Sequence, residues 1–97
     1  MIQAFNAWGV RPVIVLTPAH PTFLQALGSA GWNQRHAEAL TMLHGLPGTF
    51  TLLDASHIAS FAGEPSGFYD GVHMRDENAR RLAVWIVRRA RRALAAP

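Results

Sequence analysis

Two short apolar runs constrain the fold of this chain more than any other feature. Val13, Ile14, Val15 and Leu16 are four consecutive apolar residues, three of them β-branched. Such a run reads as a strand buried on both faces. Residues 49–53 (Thr-Phe-Thr-Leu-Leu) read as a second strand that ends at Asp54. The segment between them carries helical rather than alternating periodicity, so the two strands are expected to be parallel and joined by a crossover helix.

The remaining elements follow from spacing and breakers. Ile2, Phe5, Ala7 and Trp8 predict a short amphipathic helix closed by Gly9 in the left-handed region. Pro18 and Pro21 frame a loop around His20. Residues 22–27 suit a helical turn, broken at 28–31 by Gly-Ser-Ala-Gly. Asn33 is placed to cap a helix that runs to about His44, with Ala37, Leu40 and Leu43 on one face, before the stop at 45–48. Residues 55–72 hold three Gly, one Pro and three Ser and read as a long loop, and long loops inside small domains tend to be functional. From about Arg75 a final helix shows an apolar stripe of Ala79, Leu82, Ala83, Ile86, Ala90, Ala93 and Leu94. Asp76 and Glu77 sit at its start and arginines at its end, where the helix dipole favours each.

The order is helix, strand, helix, strand, helix. It predicts an α/β fold built as part of a doubly wound parallel sheet, a three-layer fragment within one domain over 1–97. Two strands make a poor sheet, and both would expose edges that a larger sheet covers. Self-association, or a partner chain on the open edge, is therefore expected.

Composition narrows the function classes. With 49% hydrophobic and 15% charged residues the chain is globular in character. There is no cysteine, which excludes disulfides and cysteine-based zinc sites and leaves the compartment open. Residues 1–8 lack the basic start of a secretory signal, and no apolar run is long enough to span a membrane. The net charge of +3 comes entirely from arginine, and Arg80, Arg81, Arg88, Arg89, Arg91 and Arg92 lie in the final helix. No helix-turn-helix or RNP pattern accompanies them, so they read as a solvated helix face, with Glu77 spaced to pair with Arg81, and nucleic-acid binding is not expected. Trp8, Trp32 and Trp85 read as core or pocket-wall residues.

The constellation with chemical content is Tyr69-Asp70-Gly71-Val72-His73, on a loop just ahead of the final helix. An imidazole can take a proton near neutral pH, and a carboxylate three residues earlier can fix its tautomer and stabilise the imidazolium. Gly71 allows a tight turn between the two side chains. A second Asp-x-x-His, Asp54-Ala55-Ser56-His57, shows that this spacing also arises by chance. His20, His57 and His73 lack the spacing of a metal motif, and no metal or other cofactor is expected. His20 suits a pocket rim or a hydrogen bond within its Pro-rich loop.

Asp70-Gly71-Val72-His73, followed by Glu77 and a helix, resembles the last conserved block of SGNH/GDSL-type serine hydrolases and acyltransferases. The strand ending Val15-Leu16-Thr17-Pro18 is similar to a late strand of that fold, and the strand ending at Asp54 to the one before its catalytic loop. Thr17-Pro18-Ala19-His20-Pro21 resembles the branch acting in cell-envelope acyl transfer. The resemblance covers roughly residues 9–88. It implies acyl transfer from an ester through a serine acyl-enzyme, with His73 as general base and acid and Asp70 as its orienter. The family's Gly-Asp-Ser nucleophile block and its Gly-x-Asn oxyanion block are both absent here. None of Ser29, Ser56, Ser60 and Ser66 lies in a nucleophile elbow. The expectation is the Asp-His half of a triad, inactive alone, acting on an ester or acyl substrate with a serine supplied elsewhere. The alternative is a noncatalytic α/β module that pairs with another chain.

Overall fold

The computed structural model describes residues 1–95; the last two positions of the expected 1–97 domain lie outside the described residues. Four α-helices and two strands follow in the order α1 (Ile2–Ala7), β1 (Val13–Leu16), α2 (Pro21–Gly28), α3 (Trp32–His44), β2 (Thr51–Asp54) and α4 (Asp76–Ala95). The crossover is thus two helices where the spacing read a turn and a helix. α3 is capped by Gly31 at φ 87° rather than by Asn33, which lies inside the helix.

β1 and β2 are parallel, with Val13 opposite Thr51 and Leu16 opposite Asp54. The class is mixed α/β, with a two-stranded sheet. Side chains alternate between the two faces of a strand. Val15 therefore shares a face with Leu53, and it packs against the buried cluster that includes Leu82 of α4. Asp54 lies on the opposite face, where it meets His36 of α3.

The amides of Thr51 and Ala55 donate to the carbonyls of Pro12 and Leu16. By the two-residue alternation of the backbone, Val13 and Val15 turn their own N–H and C=O groups to the other edge of β1. Among the described residues no strand covers that edge. The expectation that β1 is buried on both faces is corrected on this point: Val13 is exposed and its three neighbours are only half-buried, because a two-stranded sheet leaves each strand one flank open. Below the same strand, Met1, Phe5, Ile14, Leu43 and Leu46 line an open apolar groove of roughly 550 Å³. Trp8, expected in the core or on a pocket wall, is 85% exposed.

Residues 55–72 are more ordered than a loop. Two 3-10 turns, Ile58–Phe61 and Pro65–Gly67, break the segment. Ala55, Ile58, Phe61 and Phe68 join Leu82 as the buried cluster, so this segment supplies most of the core. Its anchor is Asn78 on the first turns of α4, which is fully buried. The Asn78 Oδ1 accepts from the Glu64 amide at 2.9 Å, and its Nδ2 donates to the Glu64 carbonyl at 2.9 Å. Gly67 runs directly against this amide, where a Cβ would collide with Asn78.

A second polar clamp joins α1 to the residues just ahead of β2. The Asn6 Oδ1 accepts from the Thr49 amide at 2.7 Å, while its Nδ2 donates to the carbonyls of Val10 and Thr49. On α4, Asn78 and Leu82 are buried, but Ala79, Ala83 and Leu94 of the predicted apolar stripe are exposed. Arg81 donates to the carbonyl of Ala62 and lies 3.7 Å from Glu64, rather than pairing with Glu77.

Candidate active site

The Asp70–His73 turn is a closed local structure. Phe68 and Met74 form an antiparallel bridge, and the Tyr69 amide donates to the His73 carbonyl at 2.8 Å. Arg75 ties down the base of the turn: its Nε donates to the Phe68 carbonyl, its amide donates to the Gly67 carbonyl, and its guanidinium lies 4.4 Å from the Tyr69 ring centroid. Within this frame one carboxylate oxygen, Asp70 Oδ1, accepts from the amides of Val72 and His73, both at 2.8 Å. The other, Oδ2, lies 2.6 Å from His73 Nδ1.

Donors on both carboxylate oxygens favour the ionised form. The Val72 amide, then the His73 ring and amide, hold the Asp70 carboxyl down to about 2. A carboxylate on Nδ1 leaves Nε2 as the nitrogen able to accept a proton. The His73 side chain is 74% exposed, and Nε2 has no hydrogen-bond partner among the described residues.

α2 supports this turn. The amide of His20 donates to the Gly71 carbonyl at 2.8 Å. The Phe23 ring packs on Gly71, where a Cβ would come within 3.1 Å of it. Gly71 does not take a positive φ. The tight turn expected at Gly71 is made without that freedom, and its small size makes room for Phe23. His20 caps α2, its Nδ1 accepting from the Thr22 amide, and its ring meets Phe68 edge-on. Both roles weighed for His20 are thus observed, because an open groove of roughly 500 Å³ lies between α2 and the turn, with His20, Phe23, Pro65, Phe68 and Asp70 on its walls.

The second Asp-x-x-His does not pair. His57 lies against the edge of Trp32 instead. Asp54 meets a different histidine: His36 Nε2 lies 2.9 Å from Asp54 Oδ2, while Asp54 Oδ1 accepts from the Ser56 hydroxyl at 2.5 Å and from its amide at 3.0 Å. Trp32 stacks on the His36 ring, with centroids 4.5 Å apart. Burial pushes the Asp54 carboxyl up, but the Ser56 and His36 contacts outweigh it and leave it below its ordinary value.

Although it joins a serine, a histidine and an aspartate, this cluster is not a triad. A triad base uses one ring nitrogen for the carboxylate and the other for the serine. Here Ser56 Oγ approaches the same nitrogen, Nε2, at 3.2 Å, and its proton goes to Asp54. In the sequence His36 is set aside as a metal ligand, being eight residues from His44, and it is not linked to Asp54, because it lies 18 residues before it and no local pattern joins them. No serine hydroxyl bonds to His73 among the described residues. No group of three His, Cys, Asp or Glu side chains converges there as a metal set.

Comparison of the chain with protein-family models, with curated proteins and with solved structures finds no match.

Proposed function

We propose that this chain is the C-terminal part of an SGNH/GDSL-like ester hydrolase or O-acyltransferase and carries the Asp-His half of its triad. The observation that carries the reading is the coordination of one carboxylate. Asp70 is fixed by two amides and grips His73 Nδ1, so that Nε2 faces outward as a proton acceptor. In this role His73 takes the proton of a serine hydroxyl as it attacks the ester carbonyl, then returns it to the departing alcohol. Asp70 stabilises the intervening imidazolium. The groove beside Asp70 suits the apolar part of an ester. The serine and the oxyanion donors come from another segment or chain, and without them the pair retains little rate enhancement. A doubly wound, three-layer parent fold is consistent with α3 and α4 meeting opposite faces of a parallel pair whose outer edges no strand covers among the described residues.

The test uses tagged chain isolated from its native host together with bound partners. Hydrolysis of p-nitrophenyl acetate is measured for wild type and His73→Ala, alongside labelling by a fluorophosphonate probe. The expected result is His73-dependent turnover with labelling on a serine outside these 97 residues. Equal rates in both proteins and no labelling would overturn the reading. They would favour the second one, a noncatalytic module pairing through the open edge of β1 and the apolar groove near Phe5 and Ile14.

A further inference from the structure

The outward side of α4 departs from an ordinary solvated helix face. Asn78 and Leu82 point into the core. The exposed side carries Arg80, Val84, Val87, Arg88, Arg91 and, at the margin of the predicted apolar stripe, Leu94. The three apolar members are well exposed, Val84 by 45%, Val87 by 47% and Leu94 by 68%. No acidic residue follows Glu77, so the helix past its first turn carries only positive charge. Beside this ridge, between α4 and the 3-10 turn at Ile58–Phe61, lies a shallow depression of roughly 390 Å³. Phe61, Val84 and Trp85 give it an apolar floor, and Arg80, Arg81 and Arg88 ring it.

Apolar side chains interleaved with arginines on one exposed helix face match the chemistry of an anionic lipid surface. The arginines meet phosphates while Val87 and Leu94 enter the acyl boundary. Nucleic acid would use the arginines but leave the apolar residues without a role. No helix among the described residues is long and apolar enough to cross a bilayer. We infer that α4 docks this protein on the surface of an anionic membrane, lying along it rather than through it.

The test is co-sedimentation of the full chain with phosphatidylcholine vesicles, with and without phosphatidylglycerol. Binding is expected only when phosphatidylglycerol is present, and it should weaken as salt shortens the electrostatic range. The triple variant Arg80→Gln, Arg88→Gln, Arg91→Gln should weaken it on the order of a hundredfold. The pair Val87→Gln, Leu94→Gln should weaken it on the order of tenfold. These positions are exposed, so the circular dichroism of both variants should match wild type. Equal binding to both vesicle types, or none, would overturn the proposal. So would tight binding to a DNA duplex that the Val87→Gln, Leu94→Gln pair leaves unchanged, or dimerisation through this face without vesicle binding.

Discussion

The side-chain amide of Asn78 has no exposure to solvent and holds both the N–H and the C=O of Glu64. Replacing Asn78 with Ala removes two hydrogen bonds at once, each worth about 0.5–1.5 kcal/mol net. It also empties space that Gly63 and Gly67 leave open for the amide, so the loss should be about 2–3 kcal/mol. A domain of this size is stable by roughly 5–15 kcal/mol, so the loss is a large fraction of the whole. The assay is urea unfolding followed by far-UV circular dichroism, with wild type and Asn78→Ala compared at constant slope. Asn78→Asp is the control: it keeps the shape and the acceptor, but it removes the donor and turns a carboxylate toward the Glu64 carbonyl. It should lose at least as much. A change below about 0.5 kcal/mol for Asn78→Ala, the range of ordinary surface substitutions, would refute the claim that this amide anchors the segment ahead of the Asp70 turn.

Gly67→Ala drives a Cβ into Asn78 and should cost about 1–3 kcal/mol in the same urea assay; wild-type stability would show that the segment can shift aside. Ser56→Ala should lower stability by about 1 kcal/mol while leaving fluorophosphonate labelling of the isolated assembly unchanged, because its proton is held by Asp54. Loss of labelling in Ser56→Ala would instead make Ser56 the nucleophile. The Asp70 carboxyl, held at about 2, should titrate by carbon NMR with a midpoint near that value. Because the folded-state value lies below the ordinary one of 3.8, its stabilisation is present above about pH 4 and fades as pH falls toward about 2. A midpoint at 3.8 or higher would mean that the two amides and the ring do not grip the carboxylate.

What could be read from the chain was local. Val13–Leu16 was legible because four apolar residues bounded by prolines leave few alternatives, and α4 because its apolar and charged positions keep helical spacing. Asp70 and His73 were legible because a three-residue separation closes within one turn. The polar contacts that hold the elements together were not. Asn6 reaches Thr49 across 43 residues, Asn78 reaches Glu64 across 14, and His36 reaches Asp54 across 18. Each joins residues that are unremarkable in their own neighbourhoods. The segment 55–72 read as loop because three glycines, a proline and three serines interrupt any periodicity, yet Ala55, Ile58, Phe61 and Phe68 converge on Leu82 and form the core. The exposure of β1 follows from the number of strands beside it, which periodicity along one strand does not record.

The central claim is that Asp70 fixes His73 with its proton on Nδ1 and its Nε2 free to accept another. Nitrogen NMR of the His73 imidazole at about pH 8 reads this directly. The account predicts a protonated Nδ1 and a bare Nε2 in wild type, with the preference lost in Asp70→Asn. A proton on Nε2, or a tautomer mixture that Asp70→Asn leaves unchanged, would contradict it.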